Sequence, residues 1–238
     1  MPFTIDPNLY TQIGLDSGSL TMLGSIVHSL QEPGQYRVAV HHGETVEKVC
    51  FVTADNNSPA AQVTIDLAST PPGTAAAASD CGCGSSKQDS FTVNPRGYVL
   101  FRVSGGSGGY YAHVRRIDAD VKDRGYDTRT LNAGDLFSAA ILRPGTYSVS
   151  NTLTRATGEI VVSYPQPGER PYVPPPPVRV ICGPNSLEPA RLQIQPGQAV
   201  IFEARTATRI VIRLERPDDG PRAGQPAPRP GLQRTALK

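Results

Sequence analysis

Apolar and polar residues alternate with a period of two along most of the chain, and this pattern predicts β-strands. The clearest example lies in residues 131–165, where the turn Pro144-Gly145 precedes one alternating stretch and Gly158 opens another. Similar stretches predict strands at residues 35–40, 45–53, 62–67, 91–103, 110–118, 179–181, 192–204 and 208–216. Together with the frequent turns, these strands predict an all-β fold.

Four stretches lack the alternation, and the last of them is residues 217–238, which are rich in Pro, Gly and Arg. Residues 1–19 are polar and turn-rich and predict an extended arm, whereas residues 69–90 are small and polar and predict a linker. Residues 166–178 contain four consecutive prolines, which favour a semi-rigid polyproline II spacer. The predicted organisation is an N-terminal arm (1–19), a β half-sandwich (20–68), a linker (69–90), a complete β-sandwich (91–165), a Pro-rich linker (166–178), a second half-sandwich (179–216) and a disordered tail (217–238).

Two internal alignments indicate repeated halves. Residues 91–101 align with 192–202, and the strands that follow them align as 113–118 with 210–215. In the second alignment, residues 33–38 match 144–149, and the next strands match as 49–52 with 160–163. The middle of the chain therefore carries a front half and a back half. The N-terminal region resembles only a back half, and the C-terminal region only a front half.

A half-sandwich would leave a sheet edge unpaired and an apolar face uncovered, which is costly. We therefore expect residues 179–216 to complete the fold of residues 20–68. This completion is possible within one chain, as a permuted second sandwich, or between chains, as strand donation. The predicted fold class is all-β with two antiparallel Greek-key-type β-sandwiches, of which the second is completed by N-terminal and C-terminal segments, and with extended termini.

The two halves resemble cupredoxin-type β-sandwiches. The front half has a strand, the turn Gln195-Pro196-Gly197-Gln198 and a Val-x-Phe strand. The back half has the closing pattern of that family, at Gly134, Asp135, Phe137, Pro144, Gly145, Tyr147, Gly158, Ile160 and Val162. The resemblance implies a cupredoxin-like fold. Residues 148–159 contain no Cys, His or Met, so the copper ligands of the family are missing and electron transfer is not expected.

Composition narrows the classes of partner. The chain has 238 residues and a formal net charge of +2, which does not indicate the phosphate neutralisation that nucleic-acid binding requires. No run approaches the ~18 apolar residues that would span a bilayer. The first residues show neither the basic nor the apolar region of a signal peptide. We expect a cytoplasmic protein, or a part of a particle assembled inside the cell, without membrane or nucleic-acid partners.

The sharpest local feature for chemistry is Cys81-Gly82-Cys83, because two thiols in a glycine loop suit a soft ion such as Cu or Zn. Tetrahedral closure would need two more ligands, for which the candidates are Cys50, Cys182, His41 and His42. The alternative is a linker with incidental thiols. No other cofactor is indicated.

The remaining features point to contact surfaces. Tyr110 and Tyr111 follow a glycine loop, residues 105–109, that lacks the Lys-Ser or Lys-Thr of a phosphate loop. These tyrosines are candidate interface residues. His41 and His42 fall at a predicted hairpin turn.

The sequence shows no nucleophile elbow, no His-Glu-x-x-His and no paired catalytic carboxylates, so we expect no enzyme. The expected function is that of a structural or assembly protein that binds protein partners, including copies of itself or a larger particle. The alternative is a metal-handling protein that uses Cys81 and Cys83.

Overall fold

The computed structural model describes residues 8–68, 89–117, 125–165, 172–218 and 220. One short helix, α1 (Asn8–Thr11), precedes an all-β chain, which confirms the predicted class. The strands of the first part are β1 (Gly14–Asp16), β2 (Gly24–His28), β3 (Gly34–His42), β4 (Thr45–Ala54), β5 (Gln62–Asp66), β6 (Ser90–Val93), β7 (Tyr98–Arg102) and β8 (Tyr110–Arg116). Those of the second part are β9 (Tyr126–Asp127), β10 (Leu136–Ala140), β11 (Gly145–Asn151), β12 (Thr157–Val162), β13 (Val178–Cys182), β14 (Leu187–Glu188), β15 (Arg191–Ile194), β16 (Ala199–Ala204) and β17 (Ile210–Pro217).

The strands form three sheets, in the orders β1-β17-β11-β12-β15, β14-β13-β16-β10-β2-β7-β5 and β6-β4-β3-β8-β9. The prediction of purely antiparallel sheets is wrong, because β4–β6, β5–β7, β12–β15 and β13–β16 are parallel pairs. The parallel pairs arise because successive strands from β4 to β8 lie alternately in two different sheets. Each strand that returns to a sheet therefore runs in the same direction as the strand left two steps earlier.

Alternation in the sequence translates into one buried face for each strand. On β11 every second residue is buried, including Tyr147 and Val149, while the residues between them are partly exposed. Buried side chains from all three sheets meet in one core cluster. Its largest fully buried members are Tyr147, Phe101, Phe137, Phe202, Leu20, Ile26, Ile65, Leu67, Leu131, Ile160, Ile194 and Ile210.

The chain is a tandem repeat at the level of strand pairing. We call β1–β8 the first repeat and β9–β17 the second repeat. The pairs β2–β7, β5–β7, β4–β6, β3–β4 and β3–β8 of the first repeat recur with the same orientations as β10–β16, β13–β16, β12–β15, β11–β12 and β11–β17. Local contacts repeat as well. The hydroxyl of Tyr36 donates to the carbonyl of Glu32 at 2.8 Å, and that of Tyr147 donates to the carbonyl of Arg143 at 2.7 Å.

This pairing corrects the predicted grouping of the halves. Residues 20–68 are completed by β6–β8, the strands that follow them in the chain, and the prediction that residues 179–216 complete them is wrong. Among the described residues, β13–β17 pair with one another, with β10–β12 and with β1. Neighbouring elements in sequence tend to be neighbours in space, so consecutive halves form a unit without permutation.

The alignments of the halves fit the pairing only in part. The match of 91–101 with 192–202 is correct, since Phe91 and Leu192 lie opposite equivalent residues of β4 and β12. The match of 113–118 with 210–215 is one residue out of register, because Val114 corresponds to Ile212. A slip of one residue exchanges the two faces of a strand.

The two repeats exchange their leading strands. β1, at the start of the first repeat, pairs with β17 of the second, and β9, at the start of the second, pairs with β8 of the first. Leu15 lies opposite Ile212, and Tyr126 lies opposite Val114 in the equivalent position. The described part of the predicted extended arm is thus helix α1 and a sheet strand.

The exchange is reciprocal because β2 and β10, which are equivalent strands, pair antiparallel in the middle of the seven-stranded sheet. Ile26 lies opposite Phe137 there. These two residues occupy equivalent positions, because 111 residues separate them, as they separate the aligned prolines Pro33 and Pro144. An approximate two-fold axis therefore passes between Ile26 and Phe137.

Two equivalent glycines allow the tight entry into β3 and β11. Gly34 has φ 147° and Gly145 has φ 150°, a region that favours glycine. A Cβ atom on Gly145 would lie 2.5 Å from the carbonyl oxygen of Arg216 on the neighbouring strand. The Pro-Gly pairs in the sequence therefore mark a real backbone requirement.

The Pro-rich stretch connects β12 with β13, which belong to one repeat, so it does not space two domains. The Tyr172 hydroxyl donates to the carbonyl of Pro196 at 2.7 Å, and the Gln198 amide donates to the carbonyl of Pro176 at 2.8 Å. Most of the predicted linker 69–90 and of the predicted tail 217–238 lies outside the described residues. In the part of the chain that the structure describes, no helix has the length and apolar character needed to cross a bilayer.

The exchanged strands are tied by equivalent buried hydroxyls, and this generates a prediction. The Ser17 hydroxyl accepts the backbone N–H of Ile210 at 3.0 Å, as Thr128 accepts that of Ala112 at 2.8 Å. Ser17 is fully buried. We expect Ser17→Ala to lower the free energy of unfolding by about 1–3 kcal/mol, because it leaves a buried N–H without that acceptor. Urea denaturation measures the change.

Ser19→Ala is the control for this prediction, since Ser19 lies in the same turn and is only partly buried. Its effect should stay within about 0.5 kcal/mol. Equal stability of wild type and Ser17→Ala would contradict the described anchoring of β1.

Candidate functional site

One end of the sheet β6-β4-β3-β8-β9 brings together the histidines and tyrosines that the sequence singled out, with further rings and charges beside them. His41 pairs with Tyr111 across β3 and β8, and His113 pairs with Asp127 across β8 and β9. Val40 and Ala112 point into the core cluster. Because successive side chains of a strand point to opposite faces, His41, Tyr111, His113 and Asp127 lie together on the outer face.

These residues and Arg129 form a compact group that we call the ring cluster (His41, Tyr111, His113, Asp127 and Arg129). The rings of His41 and Tyr111 stack with centroids 4.7 Å apart and planes 9° from parallel. The ring of His113 lies 4.8 Å from that of His41. The guanidinium of Arg129 also lies over the Tyr111 ring, 4.4 Å from its centroid.

Asp127 holds the cluster in place through its contacts. His113 Nε2 lies 2.9 Å from one carboxylate oxygen, and the Arg129 guanidinium donates to both oxygens at 2.8–3.1 Å. The backbone N–H of Arg129 also donates to it, at 2.9 Å. Burial acts to raise the pKa of Asp127, but these hydrogen bonds outweigh it and hold the pKa below its ordinary value.

Tyr111 is 9% exposed, yet it lies outside the core cluster. Its cover comes from other side chains of the outer face, above all His41 and Arg129. Nδ1 of His41 is buried and has no hydrogen-bond partner among the described residues. Burial, followed by the charges of His113 and Arg129, lowers the pKa of His41 below its ordinary value. At a pH above the ordinary imidazole pKa, the outer face thus holds the neutral imidazole of His41 beside the Arg129 cation.

A second stacked pair lies at the rim of the same sheet end. His42 and Tyr110 stack with centroids 4.5 Å apart, and His42 Nε2 lies 2.9 Å from the carbonyl oxygen of Gly108. Tyr110 packs against the core cluster. The two tyrosines predicted as interface residues therefore lie on opposite faces of the strand.

The second repeat shows which of these residues the fold requires. Strand pairing places Asp16 at the position of Asp127, and Asp16 also accepts from an arginine, Arg209, at 2.8 Å. The positions equivalent to His41, Tyr111 and His113 are occupied by Thr152, Arg209 and Val211. An aspartate recurs and again binds an arginine, but Arg209 stands at the position of Tyr111 and not at that of Arg129. The rings are specific to the first repeat.

The difference extends across the outer face of the five-stranded sheets. In the first repeat Arg37 lies opposite Phe51, and in the second the equivalent pair is Ser148 and Glu159. The aromatic and cationic residues are therefore not needed to build this strand arrangement.

The predicted metal site stays a prediction. Cys81 and Cys83 lie outside the described residues. Cys50 and Cys182 are buried, at 1% and 0% exposure, and burial raises the pKa of their thiols to about 11 and about 12. Thiols in this state are poor ligands, since a ligand must be a thiolate. Within the described residues, no group of three or more His, Cys, Asp and Glu side chains is arranged to hold a metal ion.

A second polar group lies where the two repeats meet. His28 Nδ1 lies 2.7 Å from Asp135 Oδ1, and the His28 ring stacks on Tyr126 at 3.6 Å. The group borders an open cleft of about 290 Å³. At the equivalent point across the approximate two-fold axis, β2 and β10 place Gly24 opposite Ala139. A hydrogen-bonded histidine and aspartate thus lie on one side of the axis, where the other side has a glycine and an alanine.

Sequence reasoning missed three members of the ring cluster, His113, Asp127 and Arg129. Only the two-residue spacing of Tyr111 and His113 on one predicted strand could have indicated a shared face. Comparison of the chain with protein-family models gives no match, and comparisons with curated proteins and with solved structures give none either.

The His28–Asp135 contact predicts strong coupling. Asp135 is 3% exposed, and its other oxygen accepts the backbone N–H of Asn132 at 2.7 Å. We expect Asp135→Ala and His28→Ala each to lower the free energy of unfolding. Their double variant should lose less than the sum of the two, with a coupling of about 1–3 kcal/mol, because neither side chain of the pair is then left without the other. Chemical denaturation of the four proteins completes the cycle, and additive losses would contradict the contact.

His41 predicts a pH dependence of stability. Its folded-state pKa lies below the ordinary value of 6.5, so the unfolded chain takes up the proton first as pH falls. The contribution is fully present above that value and is lost progressively as pH falls below it. The free energy of unfolding should therefore drop more steeply from about pH 7 to about pH 5.5 in the wild type than in His41→Gln. Equal slopes in urea denaturation would contradict the lowered pKa.

Proposed function

We propose that this protein is a non-enzymatic assembly component that binds a protein partner through the outer face of the sheet β6-β4-β3-β8-β9. The binding face consists of the ring cluster with Arg37 and Phe51. The observation that carries this proposal is the comparison between the repeats. Equivalent strands with the same pairing carry Ser148 and Glu159 where the first repeat carries Arg37 and Phe51.

The composition of the face supports a protein as the partner. Aromatic residues and arginine are enriched at the centres of protein interfaces and contribute most of their binding energy. Rings that are already stacked lose little conformational freedom when a partner docks. Val46, which lies opposite His41 on β4 and is 49% exposed, extends the apolar area toward the hairpin.

We further propose that each repeat is a cupredoxin-like β-sandwich of Greek-key type. The chain alternates between two sheets within each repeat, as a sandwich requires. Each repeat contributes one part of the seven-stranded sheet and most of one five-stranded sheet. The motif residues Pro144, Gly145 and Tyr147 lie at the start of β11 and recur at the start of β3, in keeping with the resemblance.

Replacing outer-face residues of the first repeat by their equivalents from the second repeat tests the binding function. The double variant Arg37→Ser with Phe51→Glu places the residues of the second repeat on the first. We expect it to fold with the stability of the wild type and to lose association. Sedimentation velocity at tens of micromolar measures association with copies of the chain, and affinity capture measures association with other proteins.

The control is Val161→Ser, which removes a partly exposed apolar side chain from the outer face of β12 in the second repeat. It should associate like the wild type. A wild type that remains monomeric and captures no partner contradicts the function. Association that survives the double variant contradicts the assignment of the face.

A further inference from the structure

We propose that the ring cluster binds a carboxylate group from an acidic segment of the partner protein and takes up a proton as it does so. The inference rests on the proposed function and names the chemistry of the partner. It also makes docking depend on pH in the range where imidazoles titrate.

The charges of the cluster suit an anionic group. Arg129 is a permanent cation, and His41 and His113 become cations when they take up a proton. Asp127 is the single acid of the cluster, and its oxygens already accept from Arg129 and His113. Arg37 and Arg115 lie opposite one another on β3 and β8, which adds positive charge to the same face.

His41 is the group whose protonation responds to a docked carboxylate. Tyr111 and His113 face it from β8, Asp127 and Arg129 from β9 and its turn, and Glu44 from the β3–β4 turn. Burial is the largest influence that keeps its pKa low, and the charges of His113 and Arg129 add to it against Asp127 and Glu44. A carboxylate from the partner adds a negative charge at this point, so it favours the imidazolium.

The consequence is a linkage between binding and protonation. A partner that raises the pKa of His41 must bind more tightly when His41 is protonated. Between the pKa of the free protein and that of the complex, affinity should rise by about tenfold for each unit by which pH falls. The second repeat cannot show this linkage, because the position equivalent to His41 is Thr152.

The test uses the full chain and an oligoglutamate peptide as the probe. NMR signals of the four histidine rings, assigned with His41→Gln, give the titration midpoint of His41 with and without the peptide. Calorimetry in two buffers of different ionisation enthalpy gives the protons taken up. We expect the peptide to raise the midpoint of His41, to bind more tightly at lower pH and to take up a proton. Loss of this pH dependence is expected in His41→Gln and not in Thr152→Gln, the matched control in the second repeat.

Three results would overturn the inference: no binding of the peptide at any pH, binding with an unchanged midpoint of His41, or binding of inorganic phosphate with the same proton uptake. The proposed function fails separately, when the wild type remains monomeric and captures no protein partner. Proton-linked binding of the peptide would then still support a carboxylate site at the ring cluster.

Discussion

The structure depends on the antiparallel pairing of β2 with β10. This pair joins the two repeats into one seven-stranded sheet and places Ile26 opposite Phe137 at equivalent positions. Because equivalent strands run in opposite directions there, the repeats are turned relative to one another by about half a turn. That relation brings the start of each repeat next to the last strand of the other. There β1 and β9 complete the two five-stranded sheets.

A shared scaffold explains why the two outer faces differ so much. Residues that anchor the exchanged strands recur: a hydroxyl at Ser17 and Thr128, and an acid at Asp16 and Asp127. Other outer-face residues do not anchor the exchanged strands. Their substitution changes stability little, because their side chains point away from the core. The first repeat carries the rings of His41, Tyr111 and His113 on this face, and the second carries Thr152, Arg209 and Val211 at the equivalent positions.

The sequence predicts much of this fold and little of the site. Alternating stretches and the pairs Pro33-Gly34 and Pro144-Gly145 predict the all-β class and the starts of β3 and β11. They do not show which halves belong together, because one alignment serves a tandem and a permuted arrangement equally well. The ring cluster depends on the register of β3, β8 and β9, and a bulge between Val40 and His41 shifts β3 against β4. No local pattern encodes such long-range register.

The approximate two-fold axis has a consequence for valence. A dimer of identical subunits built on this plan would present its outer face twice and would be able to bridge two partners. The covalent tandem presents the ring-bearing face once, and the polar face of the second repeat points elsewhere. Under the proposed function such a molecule would be univalent at this surface, so we expect it to decorate or terminate an assembly instead of propagating it.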